Sequence, residues 1–194
     1  MLGRLTGTHH GDLVQNHRIK VDRNIFLGGY HKKDIDPMIT LLNDVDIYQN
    51  TLNIPHPYTA DDAQWWIDHI RDEAVRIGFQ PNWTIRQKRT GIIGGIGLVI
   101  SDDALASTQE IGYWMGAPYR GQGIMTASIR AWSQYCFDRF DQLDALSAHI
   151  FTFNRPSQAV IQKAGFRENR LVTGYYQKND RKLDAIEYLL PRHP

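Results

Sequence analysis

This sequence predicts an α+β domain with one mixed, mostly antiparallel central sheet of about seven strands, flanked by helices. Three observations predict it. The segments Trp83–Gln87, Ile92–Ile100 and Glu110–Met115 are strand-like and follow one another across polar turns, with no helix between them, which argues against a doubly wound parallel sheet. Within 59–77 and 124–136, apolar residues recur at spacings of three and four, as in helices that lie on a sheet. With 194 residues, 42% of them apolar, the chain suffices for one domain with a well-covered core.

In chain order, residues 1–18 are polar and aperiodic and are expected as a loose N-terminal extension, with a single domain over 19–194. Val21–Leu27 reads as the first strand, ended by Gly28-Gly29. Asp34–Leu42 reads as a short helix, with Asp34 as its cap and Ile35, Met38, Ile39 and Leu42 on one face. Residues 43–58 read as a connection, because Pro55 and Pro57 disfavour helix. Thr59 opens the clearest helix: Asp61 and Asp62 suit its first turn, Ala63, Trp66, Ile67, Ile70, Ala74 and Ile77 form its stripe, and Gly78 stops it. Arg89-Thr90-Gly91 turns between the next two strands, and polar Ser101–Thr108 precedes Glu110–Met115. A glycine-bearing loop then enters a helix with Met125, Ile129, Trp132 and Cys136 on one stripe. Leu143–Phe151 is expected as a strand, Asn154–Ala164 as a helix stopped by Gly165, and Phe166–Val172 and Asp184–Leu190 as the last strands.

Composition excludes several functions. Twenty-two Lys and Arg against 21 Asp and Glu leave a net charge of +1, so no bulk electrostatics favour nucleic acid or an anionic membrane, and neither is expected as a partner. The single cysteine rules out an internal disulfide and a thiolate zinc cage, and the eight histidines show no ligand spacing, His9-His10 lying in the polar N-terminus. No metal is expected. The longest apolar run, Ile92–Ile100, is about half a bilayer span, and Met1–Lys20 lacks the apolar core of a secretory signal. The expectation is a soluble cytoplasmic protein, monomer or homodimer, with a reduced thiol. Cys136 on its apolar stripe reads as structural rather than nucleophilic.

The chemistry concentrates in Arg120-Gly121-Gln122-Gly123-Ile124-Met125, which leaves a strand and opens a helix. A helix start exposes unpaired N–H groups and partial positive charge, and glycines let the backbone approach an anion such as a diphosphate. The same glycines would also serve a plain strand-to-helix turn. Neither a P-loop nor a dinucleotide fingerprint is present, since no Gly-Lys-Ser/Thr follows and the third glycine is missing.

The segment resembles the acetyl-CoA diphosphate motif, Arg/Gln-x-x-Gly-x-Gly/Ala, of the GNAT superfamily of N-acetyltransferases. Arg120 and Gly123 match it, and Met125 departs at the last position. Glu110-Ile-Gly-Tyr-Trp-Met115 resembles the fourth strand of the ribosomal-protein N-terminal (RimJ/RimL-type) branch. Asn154-Arg-Pro-Ser157 with Lys163-Ala-Gly-Phe166, and Pro57–Ala63 with Trp66, resemble two more of its segments in the same order. The resemblance covers roughly residues 20–190.

That resemblance implies a three-layer fold with a V-shaped splay at the fourth strand. It also implies transfer of an acetyl group from acetyl-CoA to a primary amine, a protein N-terminus or a small molecule, by direct attack in a ternary complex. Acetyl-CoA would contact Trp114, Met115, Gly116, Arg120, Gly121, Gln122, Gly123, Ile124, Met125 and Asn154, with backbone N–H groups around Met115 and Gly116 free for the thioester oxygen. Glu110 would act as base and Ser157 as donor to the leaving thiolate, with Tyr175 or Tyr176 as the alternative donor. Blander readings stand beside these: Glu110 as an exposed strand-end carboxylate, Asn154 as an N-cap, and one tyrosine of Gly174-Tyr-Tyr pointing in with the other out. His56, Tyr58 and Trp65-Trp66 could wall an acceptor pocket, Trp66 sharing the core stripe and Trp65 lying off it. Asp44, Asp46, Asp61 and Asp62 would suit a cationic amine, or simply form a solvated face. A non-catalytic acyl-CoA sensor on the same fold is the competing expectation.

Overall fold

The computed structural model describes residues 17–99 and 107–192. The extension expected over 1–18 lies almost wholly outside them, as does most of the polar stretch before Glu110. The strands are β1 (Ile19–Lys20), β2 (Ile25–Gly28), β3 (Asn82–Gln87), β4 (Gly91–Leu98), β5 (Thr108–Met115), β6 (Ala145–Phe151), β7 (Arg167–Lys178) and β8 (Arg181–Pro191). The helices are α1 (Ile35–Leu42), α2 (Val45–Asn50), α3 (Ala60–Ile77), α4 (Ile124–Arg139) and α5 (Arg155–Ala164). The strands form one sheet in the order β1-β2-β3-β4-β5-β6-β8-β7. Every neighbouring pair is antiparallel except β5 with β6.

Eight strands replace the expected seven because a short strand, Ile19–Lys20, precedes the expected first one, which begins only at Ile25. The Asp22 carboxylate accepts from Asn24 N at 2.6 Å and Ile25 N at 2.8 Å, folding Val21–Asn24 into a turn. The connection expected over 43–58 contains α2, which is capped by Asp44 accepting from Asp46 N at 2.8 Å and anchored by buried Ile47. Helix α3 starts as expected, with Thr59 and Asp62 in a reciprocal capping box, and ends at Gly78 with φ +80°. The last two strands run longer than expected. Asn179 and Asp180, at φ 48° and 59°, close them as a two-residue hairpin.

Helices cover both faces of the sheet, giving three layers. On one face α4 and α5 bury Ile129, Trp132, Cys136 and Ile161 against Ile85, Ile93, Met115, Leu146 and Tyr188. On the other, α1, α2 and α3 bury Met38, Leu42, Ile47, Ala63 and Ile67 against Ile92. Asp34, expected to cap α1, makes no cap hydrogen bond to that helix. Its carboxylate is buried, accepts from His31 N at 2.7 Å and pairs with the buried Arg86 guanidinium.

The sheet opens in its middle. Strands β5 and β6 pair only over Thr108–Glu110 with Ala145–Ser147. Beyond that point β5 stays with β4 and β6 stays with β8, so Ile111–Met115 and Ala148–Phe151 diverge into a V.

Candidate active site

The backbone of β5 determines what the opening offers. Val99 N donates to Glu110 O at 2.8 Å, and Gly116 N donates to Ile93 O at 3.0 Å. An antiparallel ladder alternates, so residues 110, 112, 114 and 116 turn their polar groups to β4 while Tyr113 and Met115 turn theirs to the opening. This corrects two expectations. The Gly116 N–H is held by sheet pairing and is not a free donor. Trp114 has its backbone on β4 and its ring on the α1–α3 face, away from the opening. The Met115 N–H faces the opening, and its carbonyl accepts from Arg120 Nε at 3.0 Å.

The loop after β5 is built around two left-handed glycines, Gly121 at φ +73° and Gly123 at φ +76°. Both are exposed, and a Cβ at either would meet nothing within 4 Å. The first helical bond of α4 runs from Ala127 N to Gly123 O, leaving the N–H groups of Ile124, Met125 and Thr126 without intrahelical partners. The Met125 side chain is core, so that residue offers only backbone. Gln122 folds back on Pro118 O at 2.9 Å. Arg120, which matches the motif, turns its side chain away from the glycines. Its guanidinium reaches Asp44 at 2.5 Å and Asp46 at 3.5 Å, because α2 presents the two carboxylates there. It therefore ties the loop to α2, and those two aspartates are not free for a cationic substrate.

The opening between β5 and β6 forms a cavity of about 230 Å³, lined by Glu110, Tyr113, His149, Asn154, Ser157 and Tyr176 among others. Asn154 caps α5 by accepting from Ser157 N at 3.2 Å, and the Ser157 hydroxyl lies 2.7 Å from that of Tyr113. Burial pushes the Tyr113 phenol above its usual range, so it stays protonated as Ser157's partner.

Glu110 is far from a bare strand end. The Tyr176 hydroxyl donates to it at 3.0 Å and that of Tyr175 at 3.3 Å. Both tyrosines reach it because β7 bulges: Val172 pairs with Ala185 and Tyr176 with Leu183, so three β7 residues face Asp184 alone. Gly174, at φ +59°, turns the corner with its N–H on Asp184 at 2.8 Å. Tyr175 is the alternative donor to the thiolate in the sequence reading. Its hydroxyl is instead held by Glu110, and burial together with the Glu110 charge pushes its pKa up to about 12.

The sequence reading missed His149 on β6. Its side chain is 9% exposed, stacks on Tyr175 with centroids 4.0 Å apart, and places Nδ1 3.1 Å from Glu110 Oε2. That nitrogen has no in-line hydrogen-bond partner among the described residues. Nε2 lies 3.5 Å from Glu187. Burial pushes the Glu187 carboxyl up, but hydrogen bonds from Asn169 and Arg170 outweigh this and leave its pKa lowered.

A second cavity, about 670 Å³, lies on the α1–α3 side and shares Thr51, Asn53, Val99, Gly112 and Tyr113 with the first. Gly112 has no side chain to separate the two. The rim segment over 50–53 is pinned from the far end of the chain. The Lys178 ammonium donates to Tyr48 O and Thr51 O and lies 4.0 Å from the Tyr48 ring centroid, and Asn179 donates to the Tyr48 hydroxyl at 2.9 Å.

The Cys136 thiol is buried, which raises its pKa, and it lies away from both cavities. No helix among the described residues is long and apolar enough to cross a membrane.

Comparison with known proteins places this geometry. The family pattern "Acetyltransferase (GNAT) domain" matches residues 24–167. YdaF of Bacillus subtilis (strain 168), named provisionally as a ribosomal N-acetyltransferase, is 30% identical over 88 residues, 45% of this chain and 48% of that protein. The match thus spans about half the length of that relative, and about half of YjcK from the same organism, at 29% identity over 92 residues. Among solved structures, the Microcin C7 self-immunity acetyltransferase MccE, in complex with acetyl-CoA and AMP, superposes with a TM-score of 0.81 at 22% identity, covering 92% of this chain and 98% of that one. The ribosomal L7/L12 acetyltransferase RimL, in complex with coenzyme A, gives 0.78 at 16% identity, covering 90% and 98%. These likenesses show a shared fold, and the family pattern, spanning well over half of the 194 residues, shows that the chain belongs to the GNAT acetyltransferase family.

Proposed function

We propose that this protein is an acetyl-CoA-dependent N-acetyltransferase acting on a primary amine, a protein N-terminus or a small molecule, by direct attack in a ternary complex. The observation that carries the reading is the opened sheet: an unpaired stretch of β5 leading straight into the left-handed glycine loop at the start of α4. The residues present fit the donor. The backbone of Tyr113 can pair with a pantetheine amide as a neighbouring strand would, which leaves the Met115 N–H for the thioester, and the N–H groups at the α4 start suit a diphosphate. MccE and RimL, which share the fold, were solved with acetyl-CoA and coenzyme A, in support of this placement.

The thioester of acetyl-CoA supplies the acyl group. Met115 N–H is positioned to donate to the carbonyl oxygen as it gains charge. Glu110 receives the proton that the amine gives up, with His149 Nδ1 3.1 Å from its carboxylate and the tyrosine hydroxyls holding that carboxylate in place. Ser157, supported by Tyr113, donates to the departing sulfur; an alkyl hydroxyl is a weak acid, so this is a hydrogen bond rather than full proton transfer.

Calorimetric titration with acetyl-CoA tests the reading: saturable binding is expected, and none at millimolar ligand ends it. Binding without thiol release across a broad amine panel would favour the sensor reading instead. Glu110→Gln is expected to lower kcat about 10²- to 10⁴-fold at neutral pH while leaving acetyl-CoA affinity intact. An unchanged kcat and pH–rate profile would remove Glu110 from the mechanism.

A further inference from the structure

We propose that the acceptor is a primary amine on a short linker from an aromatic ring, bound in the larger cavity, and neither a polyamine nor an extended peptide. This rests on the acetyl-transfer reading and specifies its second substrate. At about 670 Å³ the cavity has the size of a small-molecule site, and it meets the donor cavity at side-chain-free Gly112.

Its walls favour a ring. The Trp66 and Trp114 indoles both hydrogen-bond the Tyr30 hydroxyl, so their polar edges are satisfied and both rings line the cavity as apolar wall. Gly95 permits that arrangement: a Cβ there would lie 2.4 Å from Trp114 Nε1 and 2.6 Å from the Tyr30 hydroxyl. At the mouth, Trp65 is 63% exposed yet stacked on His69, centroids 4.9 Å apart and planes 5° from parallel. A large, flat, exposed ring held in place beside a cavity is a stacking platform.

The charges disfavour a polycation. Among the described residues Asp62 is the single carboxylate on the lining, and it already accepts from Thr59 N at 2.8 Å and Thr59 Oγ1 at 2.6 Å. Asp44 and Asp46 belong to Arg120. An extended peptide would want an open strand edge. Where β4 passes under the cavity, Gly94–Gly97 is paired on both sides, with β3 and with β5.

The experiment is a thiol-release assay with acetyl-CoA and three probes: 2-phenylethylamine, spermidine and a Ser-initiated tetrapeptide. The expected result is a kcat/KM for the arylalkyl amine at least about 100-fold above the other two. Trp65→Ala is expected to raise its KM about 10-fold or more with the KM for acetyl-CoA unchanged, and Trp65→Phe to restore most of it. Comparable or better turnover of spermidine or the peptide overturns the proposal while leaving acetyl transfer standing. So does an unaltered KM in Trp65→Ala, which is exposed enough to fold normally. Calorimetry run alongside separates the other failure, since absent acetyl-CoA binding removes the parent reading itself.

Discussion

Asp34→Ala is expected to destabilise the protein by about 3–5 kcal/mol, read as a fall in the urea midpoint with little change in slope. Asp34 and Arg86 have side chains only 3% and 8% exposed. Removing the carboxylate leaves the guanidinium buried with the Gly29 carbonyl, 3.0 Å away, as its remaining recorded partner, and deprives His31 N of its acceptor. An uncompensated buried charge costs far more than a surface pair of the same geometry would. For a domain whose whole stability is about 5–15 kcal/mol, that loss is a large share. Replacing both partners with apolar residues of similar volume should recover much of it. A loss under about 1 kcal/mol for the single change would show that the pair is not the anchor described here.

Gly123→Asp is expected to abolish acetyl-CoA binding, with affinity falling about 100-fold or more, while the fold survives. Two effects act together. The position sits at φ +76°, where a side chain costs about 1–2 kcal/mol, and the new carboxylate stands beside the N–H groups that would receive a diphosphate. Folding should tolerate the change because a Cβ there meets nothing within 4 Å. Gly123→Ala carries the strain without the charge and should lose much less affinity. Calorimetry on both variants, with thermal melts as control, decides it. Unchanged affinity in Gly123→Asp would place the diphosphate elsewhere.

Local pattern made α3 and α5 legible, since cap, stripe and stop residues all lie within one helix, and α4 legible from its apolar stripe. The resemblance carried the splay and the glycine loop. What pattern could not show were pairings across long separations. Asp34 looks like a cap from its neighbours, and only the meeting with Arg86, 52 residues on, shows that it is buried. His149 alternates with apolar residues like any strand polar group. Its place beside Glu110 follows from parallel pairing of β5 with β6, which no spacing encodes. Both tyrosines reach Glu110 only through the β7 bulge, whose single sequence trace is Gly174. Arg120 matched its motif yet is directed to Asp44, 76 positions earlier.

The peg formed by Lys178 and Asn179 bears on how the molecule is made. During synthesis the glycine loop and α4 leave the ribosome well before the β7–β8 hairpin. A nascent chain thus carries the glycine loop and α4 while the rim over 50–53 still lacks its fastening. Chains stopped short of residue 178 lack β8 as well, the strand that joins β6 to β7 and buries Ala185 and Tyr188, and are expected neither to fasten that rim nor to complete the sheet.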